Sequence, residues 1–135
     1  MKKRIPIVAV LFLSLFLAQN LIAHDVCVGQ SLPHTQTYEG PTTCTDVSIH
    51  NLIVNGSLTV SGSRLYGITK VSGPINADYT CFDHIHDYDG GLQNIVTITD
   101  HSIVKGNLIF KDNRGFYHLD STSVIYGNAI NAKQI

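Results

Sequence analysis

The stretch Val54-Asn55-Gly56-Ser57-Leu58-Thr59-Val60 indicates the fold, because its pattern returns along the chain. The pattern is an aliphatic residue, any residue, Gly, a small or turn-forming residue and then an aliphatic. It recurs at 71–77, 104–110 and, less regularly, 125–129, and residues 88–92 fill the gap between the second and third copies. The glycines of these copies are separated by 17, 17, 16 and 21 residues and are Gly56, Gly73, Gly90, Gly106 and Gly127. A nearly constant interval of this size predicts a stack of repeats.

Within one copy the residues alternate in character, as in a β-strand with one buried face. Val54, Leu58 and Val60 fall on one side, and Asn55 and Thr59 fall on the other. The interval leaves no room for a helical crossover, so each short strand must pair with the equivalent strand of the next repeat. The sequence therefore predicts an all-β protein, a parallel β-helix (β-solenoid) of about five short rungs.

The predicted interior of the solenoid consists of the aliphatic positions of each repeat and of the half-repeats that follow. From the clear repeats these are Val54, Leu58, Val60, Val71, Ile75, Val104 and Leu108. From the less regular segments they are Leu65, Ile68, Phe82, Ile85, Val96, Ile98 and Ile103. The longer last interval contains the turn-rich run 111–115, which we expect to bulge from one corner.

The N-terminal part of the chain has the features of a secretory signal peptide. Lys2, Lys3 and Arg4 are followed by an apolar run over 5–17, and Ala23 precedes the expected cleavage site. We therefore expect a signal peptide over 1–23, an irregular N-terminal arm or cap over 24–45 and the β-solenoid domain over 46–135, and no membrane span after cleavage. A retained signal anchor is the alternative. Export would place the mature protein in the periplasm, on the cell surface or outside the cell.

The charge of the mature chain argues against polyanionic partners. Loss of residues 1–23 removes three basic side chains, which leaves six Lys and Arg against ten Asp and Glu and changes the net charge from −1 to −4. An acidic chain is a poor ligand for nucleic acid or for an anionic membrane surface. We expect no nucleic-acid partner.

The repeat resembles that of the bactofilins, a family of bacterial polymer-forming proteins built from turns of the type V-x-G-x-[IV]-x-A. The run Val71-Ser72-Gly73-Pro74-Ile75-Asn76-Ala77 is the closest match, and the resemblance extends over about residues 54–132. It implies a right-handed β-helix with a tendency to self-associate, and it transfers no catalytic residue. A left-handed hexapeptide helix is the nearest alternative, since some of the glycines approximate a repeat of six.

A cluster of histidines and aspartates is the one candidate for a metal site. His84 and His86 would face the same side of a strand within the run 83–89, and His101 comes about one rung later. Imidazole and carboxylate groups in this arrangement could bind zinc or copper. The alternative is a solvated acidic corner before Gly90. We expect no other cofactor.

The cysteines offer one candidate disulfide. Cys27 and Cys44 are 17 residues apart, equal to the rung interval, and equivalent positions of stacked rungs lie within disulfide reach. The equality is accidental if the arm that holds Cys27 is not a rung. Cys81 would remain, either buried or available for an intermolecular bond.

These features favour an exported, non-enzymatic structural or interaction protein that self-associates into a homo-oligomer or polymer, or that binds envelope or surface components. A last rung with no evident cap, ending in Ile125, Ala129 and Ile130, is the expected self-association surface. The alternative is a small binding module, for a divalent metal through the Asp83–Asp89 cluster, or for glycan through exposed tyrosines, namely Tyr66, Tyr88, Tyr117 and Tyr126. The chain carries no nucleophile-elbow, P-loop or dinucleotide motif, so we do not expect an enzyme.

Overall fold

A computed structural model of the chain describes residues 25–88, 94–112 and 115–135. Within these residues every strand pairs in parallel with the strand of an adjacent turn, and the chain winds into a β-solenoid of about six turns. The predicted fold class is confirmed. Among the described residues, no helix has the length and apolar character needed to cross a bilayer. The predicted signal peptide lies outside the described residues.

Each turn of the solenoid has three faces. Face 1 consists of β1 (Asp25–Val28), β4 (Thr42–Thr45), β7 (Leu58–Ser61), β9 (Ile75–Asp78), β11 (Ile95–Thr99), β14 (Gly115–Leu119) and β17 (Ala132–Gln134). Face 2 consists of β2 (Ser31–Leu32), β5 (Ser48–His50), the first halves of β8 (Arg64–Val71) and β10 (Cys81–Asp87), β12 (Ile103–Val104) and β15 (Val124–Ile125). Face 3 consists of β3 (Gln36–Glu39), β6 (Leu52–Asn55), the second halves of β8 and β10, β13 (Leu108–Phe110) and β16 (Ala129–Ile130).

Three corners connect these faces. Corner 1 joins face 1 to face 2, corner 2 joins face 2 to face 3, and corner 3 joins face 3 to face 1 of the next turn. Because parallel strands stack in register at a spacing of about 4.8 Å, each position in a turn lies directly above its equivalent in the turn before. Side chains therefore form columns that run along the solenoid axis.

The interior columns are apolar, and burial of their side chains stabilises the solenoid. All seven interior residues that the clear repeats predict are 0% exposed. Leu58 and Ile75, for example, are register partners on face 1, and burial of one such side chain contributes about 1.5–3 kcal/mol. Two residues predicted inside face outward: Ile68 is 41% exposed and Ile103 is half-buried. Gly67, at a φ of 67°, turns the chain just before Ile68 and shifts the alternation by one residue.

The predicted irregular arm is instead the first turn of the solenoid. Strands β1, β2 and β3 pair in register with β4, β5 and β6 of the second turn. This accounts for a sixth turn where the sequence predicts about five. The arm contains few aliphatic residues, so the repeat pattern is weak in this part of the sequence. Backbone pairing and the disulfide between Cys27 and Cys44 hold the arm in place.

The repeated glycines belong to two corners and not to one. Gly73 donates its N–H to the carbonyl of Gly56 at 2.9 Å in corner 3, whereas Gly127 donates to Gly106 at 2.9 Å in corner 2. Gly90 lies outside the described residues. Because Gly73 lies in corner 3 and Gly106 lies in corner 2, the intervals between the glycines do not reveal that one of the turns between them is longer.

Two turns are longer than the others, where the sequence predicted one. On face 1, Ile75 pairs with Val96 and Val96 pairs with Tyr117, so both intervals are 21 residues. In the first of these turns the additional residues fall between Asp87 and Val96, in corner 3. In the second, one falls in corner 1, because Thr99 and Ile103 pair with Asp78 and Cys81, and the others fall within the predicted run 111–115. Residues 89–93 and 113–114 lie outside the described residues.

Candidate functional site

His84 and His86, the two histidines of the predicted cluster, both lie in β10. They are two residues apart and project from face 3, where their register partners in β8 are Ile68 and Lys70. His84 is exposed and His86 is half-buried. Burial, followed by the nearby charges of His84 and Lys70, lowers the pKa of His86 from its ordinary value of 6.5.

His101 lies elsewhere on the solenoid, in corner 1, where its ring stacks on that of Tyr79 with the centroids 5.8 Å apart. The predicted set of three histidines is therefore not assembled. In the part of the chain that the structure describes, no group of three or more His, Cys, Asp or Glu side chains could hold a metal ion. Asp89, the last residue of the predicted cluster, lies outside that part.

The side chains of Asp83 and His84 are occupied in holding corner 2 together. Asp83 Oδ2 accepts the N–H of Gly67 at 2.9 Å, and His84 Nδ1 accepts the N–H of Asn107 at 3.2 Å. A histidine that binds a metal usually donates a proton from its other ring nitrogen. The Nδ1 atom of His84 accepts one instead, so this geometry favours a corner-stabilising role for His84.

The predicted tyrosine set is spread over different faces and forms no common surface. Tyr66 stacks on His50 with centroids 4.8 Å apart, and Arg64 lies 5.1 Å from its centroid. Tyr88 hydrogen-bonds Asn55 Oδ1 and lies 5.2 Å from Lys70 Nζ on face 3. The other two are Tyr117 on face 1 and Tyr126, which is 70% exposed.

Cys27 and Cys44 are joined in a disulfide, as their spacing predicts. They are register partners in β1 and β4, their Cα atoms are 4.6 Å apart, and both side chains are buried in an inward column of face 1. The bond therefore links the first turn to the second from inside the solenoid. Cys81 is free and half-buried on face 2.

A concave groove runs along corner 1 among the described residues. It has a volume of about 520 Å³ and extends over several turns, open to solvent along its length. Its polar and aromatic lining includes Asp46, Ser48, Arg64, Tyr79, Cys81 and His101. The volume lies within the range of ligand-binding clefts.

The backbone at this corner repeats one conformation from turn to turn. Gly29, Asp46, Gly62 and Tyr79 occupy equivalent positions and have φ values of 61°, 54°, 59° and 46°. Glycine and aspartate tolerate this left-handed region, but a bulky aromatic residue there is strained. Tyr79 is nevertheless 60% exposed, so packing of its ring in the core does not offset that strain.

Buried hydroxyl groups support the groove from beneath. Ser102 Oγ accepts the N–H of Thr80 at 3.1 Å and donates to the carbonyl of Thr99 at 2.6 Å. Similar bonds recur from turn to turn in a hydroxyl ladder that consists of Ser63, Thr80, Ser102 and Ser123. Each ladder residue is at most 9% exposed. The ladder fixes the backbone that carries Tyr79 and His101.

The groove residues Tyr79, Arg64 and Asp46 are not among the site residues that the sequence predicts. A signal was present, because the rung interval counted from Asp46 reaches Gly62 and then Tyr79. Tyr79 is an aromatic residue at a position that the earlier turns fill with turn-forming residues. This exception could have identified the groove from the sequence.

The last turn presents an open edge. Strands β15, β16 and β17 each pair on one side only within the described residues. Tyr126 donates its N–H to Val104 of the preceding turn at 2.9 Å, and alternate amides of a strand point in opposite directions. By this alternation, the amides that point away from the preceding turn are those of Ile125, Ala129 and Gln134.

Comparisons with protein families, with curated proteins and with solved structures found no match to this chain.

Proposed function

We propose that this chain is an exported, non-enzymatic structural or interaction protein that self-associates through the edge of its last turn, in the manner of a bactofilin-like polymer. The observation that carries the proposal is the open edge of β15, β16 and β17. An edge with unpaired N–H and C=O groups is a template for strand pairing with another chain. A second copy is the expected partner, and an envelope or surface component with an open strand edge is the alternative.

The side chains at this edge give little protection against such pairing. Soluble proteins usually guard an edge strand with charged residues, proline or a covering segment. In β15, β16 and β17 the single charged side chain is Lys133. Ile130 is 38% exposed on the outer side of β16, so a docked partner would also cover apolar surface.

The disulfide supports the proposed export. Disulfides persist in oxidising compartments and are rare in the cytosol. The bond between Cys27 and Cys44 lies inside the first two turns, where it staples the region with the fewest aliphatic residues. This is the use that small secreted domains make of disulfides. We therefore propose that the protein acts in the periplasm, on the cell surface or outside the cell.

Metal binding is not part of this proposal, because His101 stands in corner 1 while His84 and His86 are on face 3. Metal analysis of the exported protein, purified without a histidine tag, tests whether the protein binds a metal ion.

Sedimentation velocity of the exported protein tests the self-association. We expect dimers or longer assemblies to increase with concentration across about two orders of magnitude, as mass action requires. The double variant Ala129→Pro, Ile130→Lys should remain monomeric. The amide of Ala129 points to the open side, so proline at this position removes no hydrogen bond of the ladder.

The matched control is Ile68→Lys. Ile68 is 41% exposed, close to the 38% of Ile130, but lies in the third turn, away from the edge. This variant should associate like the wild type. A wild-type protein that stays monomeric throughout the range, or a double variant that associates unchanged, would reject the proposal.

A further inference from the structure

Asn55-Gly56 is the single Asn-Gly pair of the sequence, and Asn55 ends β6 with its side chain on the exposed side of face 3. An asparagine followed by glycine is prone to deamidation, because glycine has no side chain to hinder attack of its own nitrogen on the asparagine side chain. The pair is therefore a chemically labile point in a fold whose strands depend on an unbroken register.

The fold requires the glycine of this pair. A Cβ placed on Gly56 would lie 2.4 Å from the carbonyl oxygen of Gly40, and that oxygen belongs to the backbone of the turn before. The carbonyl of Gly56 in turn accepts the N–H of Gly73 at 2.9 Å. The close stacking of backbone at corner 3 thus leaves no space for a side chain at position 56.

The asparagine is held by two hydrogen bonds to other turns, which we call the amide clamp. Asn55 Nδ2 donates to Oε1 of Glu39, its register partner in the turn before, at 2.8 Å. Asn55 Oδ1 accepts from the hydroxyl of Tyr88, which reaches it from two turns later in the solenoid. Position 55 therefore needs a donor on one side and an acceptor on the other, and a primary amide offers both.

We propose that Asn55 is a deamidation site and that the amide clamp slows its reaction. In the first step a base removes the Gly56 N–H proton, the nitrogen bonds to Asn55 Cγ and ammonia leaves, which closes a succinimide ring. Water then opens the ring at one of its two carbonyls and gives aspartate or isoaspartate. The side chain is exposed, so base and water both reach it. Ring closure requires the amide to leave Glu39 and Tyr88, so the clamp opposes the first step.

Both products of deamidation weaken the contacts between turns. Aspartate at position 55 keeps the acceptor for Tyr88, but it replaces the donor to Glu39 with a second carboxylate oxygen, and like charges on register partners repel. Isoaspartate adds a methylene group to the main chain, which displaces the Gly56 carbonyl from the N–H of Gly73. Deamidation should therefore loosen the second turn from its neighbours.

Peptide mapping by mass spectrometry, after incubation of the exported protein in mildly alkaline buffer, tests the site. We expect aspartate and isoaspartate to accumulate at position 55 and not at Asn76, which is also exposed in its strand but precedes alanine. Tyr88→Phe removes one bond of the clamp and keeps the ring, so it should deamidate about fivefold faster, the factor that one ordinary hydrogen bond corresponds to. Tyr126→Phe removes a hydroxyl from a ring that is 70% exposed elsewhere and should react like the wild type.

Two further variants test the consequence for stability. Asn55→Asp should lower the urea midpoint, because it places two carboxylates side by side. The double variant Asn55→Asp, Glu39→Gln should recover the midpoint, since glutamine restores a donor between the two positions.

Three results would overturn the proposal. They are the absence of deamidation at position 55 in both the wild type and Tyr88→Phe, equal rates in these two proteins, and an Asn55→Asp variant as stable as the wild type. The readouts are separate from assembly because Asn55 belongs to the second turn, away from the edge formed by β15, β16 and β17.

Discussion

Ser102 and Thr80, which lie in adjacent turns, are joined by a buried hydrogen bond in which the Ser102 hydroxyl accepts the backbone N–H of Thr80 at 3.1 Å. Both residues are at most 1% exposed. A parallel ladder pairs the backbone along the faces, but at corner 1 the chain bends and some backbone N–H groups lose that pairing. The hydroxyl ladder supplies the missing acceptors.

Replacement of Ser102 by Ala should destabilise the fold by about 1–3 kcal/mol, because it leaves the buried N–H of Thr80 without its acceptor. Ser121→Ala is the matched control, since Ser121 is exposed in the same corner of the next turn. Urea unfolding of both variants measures the difference. Equal midpoints for the two would show that the ladder contributes nothing.

The disulfide between Cys27 and Cys44 should stabilise the solenoid by about 3 kcal/mol, chiefly by restricting the unfolded chain. Because both cysteines are buried, reduction should require opening of the first turn. Peptide mapping under non-reducing conditions should recover the 27–44 link, with Cys81 as a free thiol. A link from Cys44 to Cys81, or three free thiols, would contradict this pairing.

Stability should fall as the pH drops below the ordinary histidine value of 6.5, because burial, His84 and Lys70 lower the pKa of His86. The unfolded chain then binds a proton that folded His86 resists, so protonation favours unfolding between 6.5 and the lower folded pKa. Unfolding at about pH 7.5 and about pH 5.5 measures the loss. His86→Gln should reduce this loss of stability. An unchanged pH dependence in His86→Gln would contradict this.

The interior columns predict a sharp contrast between neighbouring positions. Leu58→Asp places a carboxylate among aliphatic side chains and should cost several kcal/mol, enough to unfold a domain of ordinary stability. Thr59→Asp adds the same charge one residue later, on the exposed side of β7, and should be tolerated. Circular dichroism distinguishes the two. A folded Leu58→Asp variant would mean that the assigned face is wrong.

Much of this fold could be predicted from the sequence, because burial in a solenoid imposes period-two alternation and a constant interval. The position of Val54 or Leu58 inside, and the pairing of Cys27 with Cys44, follow from those two rules. The rules fail where residues are inserted. After the insertion at corner 3 that precedes Gly106, the repeated glycine lies in corner 2, so an equal spacing no longer means an equivalent position. They also say nothing of which corner residues converge. His101 lies about one interval after His84 along the chain, yet the lengthened turn places it in corner 1 beside Tyr79.

The central claim is that the edge of the last turn pairs with a second molecule, and amide hydrogen exchange at that edge tests it most directly. We predict that the amides of Ile125, Ala129 and Gln134 become more protected as the protein concentration rises. The amide of Leu108, already bonded to Asn128 at 3.0 Å within one molecule, should change less and serves as the internal reference. Exchange at the three edge amides that does not depend on concentration would contradict the account.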